Sequence, residues 1–194
     1  MELTTARLLI RDWRPLYDAQ QAFDIYGDPK VVHWLQGSPD SSIRATQERL
    51  ERYCARSVDG LGIWAVVEKA SDRTIGSILL VHLPNSDKTS SDKIEIGWHF
   101  RPASWGYGYA TEAAHAILNY GFSQLRLHNI YAVTTPDNVR SQRVMARLGM
   151  SSLGFTDGYY DRTLQLYRLT ADDYSSGQLA SMAPSTVSTS APLT

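Results

Sequence analysis

The hydrophobic spacing along the chain changes several times, and each change marks an element. Leu8-Leu9-Ile10 reads as a first short strand. The spacing then turns helical from Leu16 to Tyr26, with Ala19, Phe23 and Tyr26 on one side, and a second short helix is expected from Pro29 to Leu35. Ser41-Ser42 precedes a longer helix running to Ser57, in which Ile43, Thr46, Gln47, Leu50, Tyr53 and Cys54 recur at three- and four-residue steps. From Gly62 to Glu68 and from Thr74 to Leu83 the pattern is β-rich, and Ser71-Asp72-Arg73 between them is turn chemistry, so the pair reads as a hairpin. Lys93 to Phe100 is the clearest strand. Ile94, Ile96, Trp98 and Phe100 share one face, and Lys93, Glu95, Gly97 and His99 the other.

Beyond that strand come a polar, glycine-bearing loop and a helix whose stripe is built of Ala110, Ala113, Ala114, Ile117, Leu118 and Gly121. Ile130 to Thr134 reads as a strand, Val139 to Leu148 as a helix stopped by Gly149, and two closing strands are expected near 150–160 and 164–169. The order predicts an α+β (mixed α/β) domain over residues 1–172, built on one mixed sheet. The remainder, 173–194, is rich in Ser, Thr, Pro and Ala and is expected to be a disordered tail.

Composition narrows the function classes. A chain of 194 residues, 43% hydrophobic and 20% charged, fits one soluble globular domain. A formal net charge of −1 offers no footprint for nucleic acid or an anionic membrane. No apolar run approaches a membrane span, and the N-terminus lacks the pattern of a secretory signal, so a cytoplasmic location is expected. The single cysteine, Cys54, excludes an internal disulfide framework, and its helical setting reads as a buried, inert thiol. His33, His82, His115 and His128 show no metal-ligand spacing, so no metal is expected. Trp13, Trp34 and Trp64 read as core; Trp34 and the Tyr159-Tyr160 pair are also candidates to line a groove.

The chemistry concentrates in RPASWGYGYATEA, Arg101 to Ala113, between a strand and a helix. Gly106 and Gly108 let the backbone approach a ligand closely, and the N–H groups from Gly106 to Thr111 open the helix where its dipole is positive. That is a cradle for a pyrophosphate that needs no lysine. A dinucleotide fingerprint does not fit: the third glycine is absent, and the motif follows antiparallel strands instead of opening a leading βαβ unit. A plain glycine turn with Thr111 as a cap is the other reading of the same residues.

The run KIEIGWHFRPASWGYGYATEAAHAILNYGF, followed by NIYAVTTPDNVRSQRVMARLGM, resembles the GNAT superfamily of acetyl-CoA-dependent N-acetyltransferases, and more narrowly its RimJ/RimL-like branch. The openings TTARLLIRDW and GIWAVVEKASDRTIGSILL are similar to that branch too, so the resemblance spans roughly 3 to 170. It implies a single domain around a mixed, mostly antiparallel sheet of about seven strands, splayed between its two parallel central strands, with helices on both faces. It implies acetyl-CoA as cosubstrate, held by the backbone around His99 and Phe100, by the amides of Trp105, Gly106, Tyr107, Gly108, Tyr109, Ala110 and Thr111, and by Asn138 and Ser141. Ala103 stands where the superfamily often has Gln or Arg.

Transfer to an amine requires a base, and Glu95 is the candidate, with a salt bridge or solvated face as its other role. His99 is a weaker candidate, about 13 Å further along the strand. Many relatives protonate the departing thiolate with a tyrosine at the position of Met145; Ser141, otherwise a helix-surface or capping serine, is the candidate donor here. The expected reaction is direct acetyl transfer in a ternary complex to a primary amine, either a protein N-terminus or a small molecule. A non-catalytic acyl-CoA sensor is the alternative that Met145 keeps open. The resemblance is compatible with a homodimer.

Overall fold

The structure is a computed structural model that describes residues 1–182 except 36, 88 and 90. Eight strands form one sheet: β1 (Glu2–Thr4), β2 (Leu8–Arg11), β3 (Gly62–Glu68), β4 (Arg73–His82), β5 (Ile94–Phe100), β6 (Asn129–Thr134), β7 (Ser151–Tyr159) and β8 (Arg162–Thr170). Their order is β1-β2-β3-β4-β5-β6-β8-β7, antiparallel throughout except between β5 and β6. The strand beyond the expected seven is β1. Its three residues give too short an alternation to be read locally, and pairing with β2 (Leu3 opposite Ile10) is what makes it a strand.

Three helices precede β3. α1 (Pro15–Tyr26) and α2 (Pro29–Val32) each begin on a proline, and the Asp28 carboxylate caps α2 by accepting from the Lys30 N–H at 2.8 Å. α2 has four residues, about one turn, not the seven-residue helix expected to Leu35. α3 (Ile43–Ala55) starts on Ser42, whose Oγ accepts from the Ala45 N–H at 3.2 Å. α4 (Tyr109–Ser123), α5 (Val139–Arg147) and α6 (Ala171–Met182) follow. The domain end expected at 172 falls inside α6, so the first part of the segment read as a disordered tail is helical, and residues 183–194 lie outside the described residues.

Alternation along β3 divides the interior. Trp64 and Val66 face one core with Ile78, Leu80, Ile96, Ile117 and Leu118, which seats α4; Ala65 faces a second with Trp13, Ile25, Tyr26, Leu50 and Tyr53, which seats α1 and α3. Helices therefore cover both faces. Gly121 lets α4 lie close on the sheet, because a Cβ there would stand 2.8 Å from Ile130 Cδ1. Trp13 and Trp64 are core as expected, but Trp34 is only half-buried. Cys54 is exposed, not buried: its Sγ reaches the Trp13 carbonyl at 3.6 Å, on the outer side of α3, where the helical spacing that suggested burial has run past the packed face.

Candidate active site

The site begins where β5 and β6 part. These two parallel strands share one register pair, Glu95 opposite Tyr131. On its other edge β5 pairs with β4 from Ile94 to Phe100. The Arg101 N–H donates to the Ile75 carbonyl at 3.1 Å, continuing that ladder. Alternation then turns the backbone groups of Glu95, Gly97 and His99 toward β4 and those of Trp98 and Phe100 toward the gap. The Phe100 carbonyl is taken by the Trp105 indole N–H at 2.7 Å. His99 thus reaches the gap through its ring, and the backbone expected there from His99 is that of Trp98.

The glycine loop closes one end of the gap. A 3-10 turn, Pro102–Ser104, leads to Gly106 at φ +87° and Gly108 at φ +80°, both in the left-handed region that favours glycine. The α4 ladder begins with the Glu112 N–H on the Gly108 carbonyl at 3.0 Å, so the amides of Tyr109, Ala110 and Thr111 precede it. A Cβ added at Gly106 would meet nothing within 4 Å, so the backbone there borders open space. The Thr111 Oγ1 is buried without a hydrogen-bond partner among the described residues. Arg140, Arg143 and Arg147, on one side of α5, line the same cleft of about 320 Å³, and the Arg140 guanidinium lies 4.8 Å from the Trp105 ring centre. Ordered amides at a helix start, an unpartnered hydroxyl and three arginines are the donor set a pyrophosphate requires.

The loop is held from behind by residues far away in sequence. Glu112 accepts from the Thr5 hydroxyl at 2.6 Å and from the Arg7 Nε at 2.7 Å, and Arg7 Nη1 donates to the Tyr107 carbonyl at 3.0 Å. The Arg7 guanidinium also covers the Tyr109 ring at 4.5 Å, while the Tyr109 hydroxyl donates to Glu68.

A second cleft of about 610 Å³ meets the first along Trp34, Leu35, Trp98, His99, Asn138 and Ser141, which line both. Glu95 lies at its base, 6% exposed, and the Tyr160 hydroxyl donates to Glu95 Oε2 at 2.5 Å. The β7–β8 turn delivers that hydroxyl: Tyr159 pairs with Arg162, and Tyr160 and Asp161 both have positive φ (+58° and +51°), a two-residue turn of the primed kind. The positive φ of Tyr160 is what this turn type demands, and it sets the Tyr160 ring over the buried Glu95 carboxylate.

Electrostatics separates the two base candidates. Burial raises the Glu95 carboxyl to about 7, with the Tyr160 hydrogen bond pulling the other way. Burial also raises the Tyr160 phenol well above its ordinary range, helped by the Glu95 charge, so it stays a donor. Burial, with the Arg49 charge, lowers the His99 imidazole to about 4, and its Nδ1 lies 3.4 Å from the Tyr26 hydroxyl. Near neutral pH, Glu95 titrates where a base is useful and His99 is an uncharged, far weaker base. Asn138, not Ser141, caps α5: its Oδ1 accepts from the Ser141 N–H at 3.2 Å, and both residues border the two clefts. Met145 is buried.

The sequence from residue 7 to 151 matches the acetyltransferase (GNAT) domain family. The chain belongs to the GNAT acetyltransferases. The uncharacterized N-acetyltransferase YnaD of Bacillus subtilis is 34% identical over 156 residues, 80% of this chain and 85% of that protein. The FsC-acetyl coenzyme A-N(2)-transacetylase of Aspergillus fumigatus is 33% identical over 139 residues, 69% of this chain and 58% of that protein. Among solved structures, a GNAT acetyltransferase from Bacillus anthracis superposes with a TM-score of 0.73 at 26% identity, covering 89% of this chain and 99% of its own. The ribosomal-protein-S5-alanine acetyltransferase of Vibrio fischeri shares the fold, with a TM-score of 0.69 at 18% identity over 90% of this chain and 98% of its own.

Within this GNAT domain, the glycine loop, Glu95, Asn138 and Ser141 singled out in the sequence all border one or both of the two clefts. Sequence reading did not name Tyr160 as the partner of Glu95, nor the α5 arginines that line the first cleft. The arginines carried a signal, a spacing of three and four on one helix face. The Tyr160 contact spans 65 residues, and only the sheet brings its ends together. Among the described residues, no group of His, Cys, Asp or Glu is arranged to hold a metal, and no helix is long and apolar enough to cross a membrane.

Proposed function

We propose that this acetyltransferase moves the acetyl group of acetyl-CoA directly to a primary amine in a ternary complex, with Glu95 as general base. The observation that carries this is the buried Glu95–Tyr160 pair, set in a cleft that opens onto the glycine-loop cradle. The residues suit the coenzyme. The amides from Trp105 to Thr111, the Thr111 hydroxyl and the α5 arginines would hold its phosphates, and the backbone of Trp98 its pantetheine arm. Bound acetyl-CoA supplies an activated acyl carbon and a thiolate leaving group.

The chain supplies the rest. Glu95 takes the proton the amine loses on forming the new bond, and Tyr160 fixes one carboxylate oxygen so that the other faces the cleft. The Phe100 N–H, directed into the gap, is the donor for the developing oxyanion. Ser141 lies where the clefts meet and is the donor for the departing sulfur. Use of acetyl-CoA and an N-acceptor accords with the name of the Aspergillus relative. Membership of the RimJ/RimL-like branch is part of the same proposal and rests on the motifs around the glycine loop.

The test is thiol release by wild type and Glu95→Gln across pH 5.5–9, with acetyl-CoA affinity measured alongside. Turnover should fall by about 10²- to 10⁴-fold near neutrality with affinity unchanged. Wild-type rates across the range would refute the base assignment. Binding by wild type with no turnover on any amine would favour the sensor reading.

A further inference from the structure

The cleft around Glu95 has a charge pattern contributed by separate parts of the chain. Among the described residues its lining holds three arginines, Arg49, Arg56 and Arg162, and one carboxylate, that of Glu95. Arg49 is committed: its Nη2 stands 2.7 Å from Asp40 Oδ1, and its guanidinium covers the Tyr26 ring at 4.9 Å. Arg56, at the C-cap of α3, and Arg162, the first residue of β8, are both exposed and form no ion pair among the described residues. Both border the cleft that holds Glu95. The guanidinium group keeps its charge at any working pH and presents a fork that matches a carboxylate or a phosphoryl group. Between them the wall is apolar, with Trp34, Leu61, Ile63, Leu79, Val133 and Leu164.

Resting on the acetyl-transfer reading, we propose that the acceptor is a small amine bearing an anionic group, a carboxylate or a phosphoryl group, and an apolar body. Arg56 and Arg162 receive the anion while the amine is directed to Glu95. The cleft volume of about 610 Å³ is that of a small-ligand site. Polycations are the wrong partners, because a second ammonium would face two unpaired guanidinium groups. The same positive wall disfavours the ammonium form of the bound amine and so eases its deprotonation.

Four acceptors test this on the full chain at saturating acetyl-CoA: phenylalanine, its carboxamide, its aminophosphonate analogue and spermidine. The anionic acceptors should exceed the carboxamide by about tenfold or more in kcat/KM, with spermidine poorest; the acid and the phosphonate tell the two anions apart. Arg56→Ala and Arg162→Ala should each raise KM for the anionic acceptors by a larger factor than for the carboxamide. A preference for the carboxamide or spermidine overturns the proposal while leaving acetyl transfer intact. If none is acetylated, calorimetry with N-acetylphenylalanine and its amide in the presence of CoA decides. Tighter binding of the acid, abolished in Arg162→Ala, supports the proposal, and equal affinities overturn it. Absence of CoA binding in that experiment would refute the acetyl-transfer reading itself.

Discussion

Removing the ionisable group at Glu95 should make the unliganded protein more stable at alkaline pH. An ordinary carboxyl at 4.5 is raised here to about 7 by burial. Between those values the native state keeps a proton that the unfolded chain has released, so stability falls as pH rises through the window. The full cost, at 1.36 kcal/mol per tenfold, is about 3 kcal/mol. Little of it, about 1 kcal/mol, is felt at pH 5, and nearly all of it at pH 8. Glu95→Gln keeps an acceptor for the Tyr160 hydroxyl but cannot ionise, so its stability relative to wild type should climb by about 2 to 3 kcal/mol between pH 5 and pH 8. His99 acts in the opposite sense. Its pKa is lowered from 6.5 to about 4, so its contribution is lost as pH falls below 6.5. It is common to both proteins and cancels in the difference. Urea denaturation of wild type and variant at pH 5, 6, 7 and 8, at constant ionic strength and without acetyl-CoA, reads the quantity directly. A difference that stays flat with pH would refute both the buried titration and the pH range assigned to the base.

Tyr160→Phe removes the hydrogen bond that favours ionised Glu95, so the acidic limb of kcat/KM should move upward by about half to one pH unit; an unmoved limb would separate Tyr160 from the base. Thr111→Val exchanges a buried, unpartnered hydroxyl for a methyl group, so thermal stability should hold or rise while acetyl-CoA affinity falls about five- to tenfold. Calorimetry and a melting curve on the same sample check it, and unchanged affinity would take Thr111 out of the phosphate site.

Local pattern was sufficient for most elements and for half of the site. The alternation of β5, the small-residue stripe of α4, Gly106 and Gly108 before its first turn and Asn138 at the start of α5 are written within a few residues of one another. Their physical causes, pleat, helix period, left-handed backbone and capping, act over the same short range. The cradle was legible because backbone amides at a helix start need no distant partner. Packing decided the remainder. β1 exists because β2 pairs with it, Cys54 is exposed because α3 turns it from the sheet, and Trp34 borders a cleft instead of filling a core. Glu95 carried two equal readings in the sequence. Its role depends on desolvation and on a hydroxyl 65 residues away, quantities that come into being only when β5 is enclosed and the β7–β8 turn folds over it. The three arginines that line the Glu95 cleft have the same origin: in a chain with net charge −1, tertiary structure chooses which charges share a cleft.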